Sequence, residues 1–150
     1  MLEVKDKNLS AVKCKNALTE DRKIGKLEQE WGRYKYNVLE HEPWIYQEIR
    51  QLLKDKSDYP VTAFYGLIQD SLSIPTTEGT GRNAAEHVWG YFKGKVTNVE
   101  KARFERLIGE LGAGGGETGR AIRNIKSFLM KTQDKYQDEY LKESLYFYLP

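Results

Sequence analysis

Arg82-Asn-Ala-Ala-Glu-His-Val-Trp-Gly-Tyr-Phe-Lys-Gly-Lys95 decides how this chain folds. Ala85, Val88, Trp89, Phe92 and Val96 recur at helical spacing, which predicts an amphipathic helix from Arg82 to about Val96. Asn83, His87, Tyr91 and Gly94 form a second line beside that apolar stripe. A helix that only fills a core has little use for a polar, glycine-interrupted line, so close approach by another helix or by a ligand is expected there.

Further helices follow on both sides. Upstream, Leu27, Trp31, Tyr34 and Val38 mark a helix beginning near Glu20 and ending near His41, since Pro43 disfavours helical geometry at Glu42. Pro43 suits the first turn of the next helix, with Trp44, Ile45, Ile49, Leu52 and Leu53 as its apolar face. Pro60 opens a third helix through Phe64, Leu67, Ile68 and Leu72, and residues 75–81 read as a loop. Downstream, Thr97 and Glu100 have the spacing of a capping box, ahead of Phe104, Leu107, Ile108 and Leu111. Gly112 closes that helix, and 112–116 is a glycine connector. Ile122, Ile125, Leu129 and Met130 define another helix, and a last one is expected from about Lys135. The expected fold is all-α: a compact single-domain bundle of about six or seven helices over residues 20–150, preceded by a loosely ordered basic lead-in at 1–19.

Composition narrows the function classes. Charged residues make up 31% and aromatics 12%, which suits solvated helical faces around an ordered core rather than a disordered chain. No apolar run is long enough to span a bilayer and no signal-peptide core is present, so no membrane partner and a cytoplasmic location are expected. The lone Cys14 rules out an intrachain disulfide framework or an all-cysteine metal site. A net charge of +2 is too small to argue for nucleic acid by itself.

Several constellations could carry chemistry. Gly114, Gly116 and Gly119 satisfy G-x-G-x-x-G, but the element before them is a helix and Arg120-Ala121 replaces the Lys-Ser/Thr pair, so they read as linker. Gly79-Thr-Gly-Arg-Asn83 runs into the start of the signature helix, where an anion would meet free N–H groups and the Arg82 guanidinium; a plain helix cap is the simpler reading. For His41 and His87 a hydrogen-bonded packing role is preferred, while the sharper reading has both lining one polar pocket beside Tyr46 and Tyr91. Arg120, Arg123 and Lys126 form a cationic stripe for a nucleic-acid backbone, or else a solvated face. No metal-ligand spacing, no cofactor motif and no serine nucleophile elbow is present.

Lys35-Tyr-Asn-Val-Leu-Glu-His41, Tyr46, Asn83, the block His87-Val-Trp-Gly-Tyr-Phe-Lys93, Glu100-Lys101, Phe104, Glu139-Tyr-Leu141 and the aromatic-proline ending Tyr146–Pro150 together resemble the YbgA-like proteins, a bacterial and archaeal family defined by a domain of unknown function. The resemblance spans about Trp31 to Pro150. It implies a helical domain found alone or attached to a cysteine-rich module linked to desulfidation of thiolated nucleobases. A chain with one cysteine cannot hold an iron–sulfur cluster, so this domain would bind or present a ligand rather than perform that reaction. The expected function is a non-catalytic binding or accessory module for a nucleobase-like or anionic ligand or a nucleic acid. Its candidate pocket is His41, Tyr46, Asn83, His87 and Tyr91, with Arg82 and Lys93 at the rim. An enzyme using His87 and Tyr91 in acid–base chemistry is the alternative, as is a protein-docking module with an aromatic C-terminus; a homo-oligomer stays open.

Overall fold

The computed structural model describes residues 24–55, 59–113 and 117–150. Among them are six helices and no strand: α1 (Ile24–His41), α2 (Pro43–Leu52), α3 (Val61–Leu72), α4 (Glu78–Gly90), α5 (Asn98–Gly112) and α6 (Thr118–Tyr136). The lead-in with Cys14, and Gly114 and Gly116 of the glycine connector, lie outside the described residues.

α1 is the central element. Its Leu27, Trp31, Tyr34 and Val38 pack with Ile45 and Ile49 of α2 and Phe64, Tyr65 and Ile68 of α3 in one apolar cluster. Its other side gives Tyr36 and Leu39 to a second cluster with Val88, Trp89 and Phe92, with Phe104 and Leu107 of α5, and with Ile125 and Leu129 of α6. Trp89 stacks on Phe104 at 4.3 Å between centroids and 14° between planes, a close, nearly parallel aromatic contact. α1 and α4 run antiparallel: Tyr36 meets Tyr91, which follows α4, whereas His41 meets Ile74 and Thr76, which precede it.

Helix ends follow local chemistry. The Glu42 side chain accepts from Trp44 N–H at 3.0 Å, with Pro43 in the first turn of α2 as expected. The Thr97–Glu100 capping box forms as read from the spacing. Other expectations are corrected. α4 begins at Glu78, not Arg82, because Thr77 and Thr80 make a capping box of their own; Gly79 and Gly81 are therefore helical rather than part of a loop. It ends at Gly90, and turns occupy the next five residues. No final helix starts near Lys135. Instead α6 runs to Tyr136 and stops where Gln137 turns left-handed (φ 48°), while the Gln133 amide bonds both N–H and C=O of Asp138. Trp44, expected on the buried face of α2, is 66% exposed. Close approach occurs at Gly81, where a Cβ would sit 2.8 Å from Ile122 Cδ1 on α6; Gly90 and Gly94 face open space.

The segment after α6 folds back onto α1. Leu145 N–H donates to Arg33 O at 2.8 Å and Asn37 Nδ2 to Leu145 O at 3.3 Å. Lys126, buried on α6, donates to Glu40 at 2.9 Å and to Leu149 O at 2.6 Å, and its ammonium lies 4.6 Å from the Tyr146 ring centroid. Burial drives the Lys126 ammonium toward its neutral form, and Glu40 opposes this.

Lys126→Met leaves the Glu40 carboxylate buried alone and should cost about 3–5 kcal/mol in urea denaturation. The double variant Glu40→Leu, Lys126→Met should recover most of that loss; if it is as unstable as the single, the pair is not what the site lacks. Glu100 gives a pH prediction. The Thr97 backbone N–H, then the Tyr136 hydroxyl, hold its carboxyl down at about 2 against an ordinary 4.5. A depressed acid stabilises the fold fully above about pH 4.5 and less as pH falls toward 2. Glu100→Gln should flatten the acid side of the stability profile in that window.

Candidate functional site

Most of the expected pocket residues have structural partners. His41 is buried, with Nδ1 2.5 Å from Ile74 O and Nε2 2.8 Å from Pro150 O. Tyr46 packs at 5.3 Å on Trp31 and touches both apolar clusters. The Arg82 guanidinium reaches Ile108 O at 3.5 Å and fills the space beside Gly112, so it ties α4 to α5 rather than guarding a helix N-terminus. His87 and Lys93 are exposed and Asn83 is half-buried. With a rise of about 1.5 Å per residue, His87 stands roughly 15 Å along α4 from Thr77, whereas His41 is held near that first end. The two histidines do not share a pocket.

The cationic stripe divides in the same way. Arg120 and Arg123 are exposed, but Lys126 points inward to Glu40 and is no phosphate contact, because its ammonium is already enclosed and bonded. In the aromatic ending Tyr146 is buried and Phe147 half-buried, so only Tyr148, at 64% exposure, offers a ring to a partner.

Tyr91 has a different setting from the one expected. Its hydroxyl bonds the Tyr36 hydroxyl at 2.6 Å, and its ring stacks on Tyr140 at 5.3 Å and 7°. Lys35 Nζ donates to the Tyr140 hydroxyl at 3.2 Å. Burial, and then the bond to Tyr91, push the Tyr36 hydroxyl far above the ordinary phenol range, so it stays a neutral donor or acceptor. Tyr36 is buried while Tyr140 is 49% exposed, so the three rings run from the core to the surface. Residue-by-residue reading missed Lys35, Tyr36 and Tyr140 as site candidates. The available signal was that all three fall inside the blocks that resemble the family.

Arrangement limits the chemistry. The Tyr91 hydroxyl is engaged by Tyr36, and the His87 side chain makes no hydrogen bond to the described residues, which gives the pair no organised acid–base geometry. Two shallow grooves lie elsewhere. One, of about 270 Å³, includes Glu110, Glu117 and Arg120; the other, of about 380 Å³, includes Trp44, Leu52 and Leu67. Both fall at the low end for ligand pockets, and neither includes His41, His87 or Tyr91. Among the described residues no group of three or more His, Cys, Asp or Glu could hold a metal ion, and no helix is long and apolar enough to cross a membrane.

A family model described as "Protein of unknown function (DUF1722)" matches residues 35–150. The UV DNA damage endonuclease of Clostridium perfringens (strain 13 / Type A) is 30% identical over 113 residues, covering 73% of this chain and 26% of that protein. The chain thus spans about a quarter of that relative's length. No solved structure matches it.

Tyr91→Phe keeps the ring stack and removes one hydroxyl, leaving Tyr36 without its partner. It should lower stability by roughly 0.5–1.5 kcal/mol in urea denaturation with unchanged helical circular dichroism. No loss at all would mean that the Tyr36–Tyr91 bond does not hold the cluster.

Proposed function

This chain belongs to the DUF1722 family, and we propose that it is a non-catalytic accessory module that binds nucleic acid. The observation that supports this most directly is the Lys35–Tyr36–Tyr91–Tyr140 cluster, which presents a half-exposed ring beside an ammonium. Aromatic faces stack on bases without regard to sequence, and ammonium groups neutralise phosphates. Asn83 and His87 precede Tyr91 at four-residue steps on α4, so they extend this surface with polar contacts, and exposed Lys93 adds a cation after the helix.

A binding role fits these side chains better than a reaction centre. His41, Arg82 and Lys126 are held by internal partners, and of the three clustered tyrosines Tyr140 alone is exposed. The Clostridium perfringens relative is named for action on DNA. In our reading the part it shares with this chain contacts the polymer, and the cutting chemistry resides in the rest of that protein.

Fluorescence anisotropy of the full chain with labelled single-stranded DNA, duplex DNA and RNA tests the proposal. Saturable binding to at least one of them that weakens as salt rises is expected. Absence of saturable binding to all three at low salt would overturn it.

A further inference from the structure

We infer that the outer face of Tyr140 is a stacking platform for one unpaired base of a single-stranded nucleic acid, with Lys35 taking the neighbouring phosphate. This rests on the nucleic-acid reading above and specifies its ligand. The inner face of Tyr140 is already occupied by Tyr91, nearly parallel at 7°, and the ring remains 49% exposed. Lys35 Nζ is 3.2 Å from the Tyr140 hydroxyl and 5.4 Å from the ring centroid. The hydroxyl oxygen itself stands off the centroid by the ring radius plus the C–O bond, so these two distances put the ammonium beyond the hydroxyl edge and leave the face uncovered.

The platform is held rigidly from beneath. Tyr91 is fixed by Tyr36, and the backbone of Tyr140 by Asp138, whose Oδ1 accepts from Tyr140 N–H at 3.0 Å and Leu141 N–H at 3.3 Å. The Leu141 side chain is buried in the cluster formed by α4, α5 and α6. A ring fixed this way loses little freedom when a base lands on it, which favours binding.

Charge argues for a single strand over a duplex. Lys95 is paired with Asp138 at 3.5 Å and Lys142 with Glu139 at 2.8 Å, and Glu143 adds a negative charge nearby in sequence. Of the cations on these segments, Lys35 and Lys93 are without carboxylate partners among the described residues. A duplex, with one charge per about 1.7 Å of axis, needs a broader cationic face than two ammonium groups provide. Its bases also keep their faces inside the stack. An unpaired base needs only the ring, and the strand beside it presents one or two phosphates within reach.

The test uses fluorescein-labelled oligodeoxythymidylate, alone and annealed to oligodeoxyadenylate, with the full chain and its Tyr140→Ala, Tyr140→Phe and Lys35→Gln variants. Expected are preference for the single strand, about tenfold weaker binding for Tyr140→Ala, and near-wild-type binding for Tyr140→Phe, which keeps the ring face. The slope of log K against log salt should correspond to one or two phosphates and fall by about 0.7 in Lys35→Gln. Should Tyr140→Ala fail to fold, strand preference and the Lys35→Gln slope still decide the matter. Equal or tighter binding of the duplex, or a folded Tyr140→Ala that binds like wild type, overturns the platform while leaving nucleic-acid binding in place. No binding of either probe or of RNA by the wild type removes both.

Discussion

The ion pair between Glu40 and Lys126 is the contact on which the arrangement of this protein depends. It joins α1 to α6 across 86 residues of chain, and the same ammonium captures Leu149 O. Taking two charges out of water is unfavourable unless their geometry is good and remaining donors are satisfied. Here the ammonium has a carboxylate, a carbonyl and an aromatic face, so the burial is compensated. The Tyr146 hydroxyl beside it is pushed well above the phenol range, by burial first and then by the Glu40 charge, which keeps that face of the cluster from acquiring a second negative group.

The surface cluster is a consequence of how the closing segment is tied down. Leu145 and Leu149 are bonded along α1 and to α6, His41 meets Pro150 O, and Leu141 is buried with α4, α5 and α6. Those anchors, with the Asp138 turn, bring Tyr140 over Tyr91. His41 therefore helps to hold the segment, and its neighbour in the family-like block, Glu40, does the same. On that surface His87, Lys93 and Tyr140 are exposed and Lys35 is half-buried.

Much of the fold was legible because its signals are local. Pro43 and Glu42 mark the start of α2 by backbone sterics and a side-chain cap, and Thr97 and Glu100 mark α5 by a reciprocal pair of bonds three residues apart. The start of α4 escaped because its capping partner is Thr80 rather than Glu or Gln, and because Gly79 and Gly81 have the composition of a loop. Gly81 serves instead for contact with Ile122. The second buried side of α1 was also hidden. Asn37 and Glu40 look solvated in any hydropathy pattern, yet both are almost wholly buried because their partners arrive from elsewhere in the chain.

Sequence alone determined an all-α chain, most of its helix ends, its apolar faces and its family, since periodicity, proline geometry and capping act over a few residues. Tertiary structure decided which polar groups would be buried against internal partners and which would stay exposed. His41 and Lys126 were drawn inward by carbonyls and a carboxylate, while Tyr36, Tyr91 and Tyr140 met from three distant segments of the chain. The physical reason is that a charge or hydroxyl has no fixed role of its own. Its energy depends on the groups that surround it after burial, and only the packed chain supplies those.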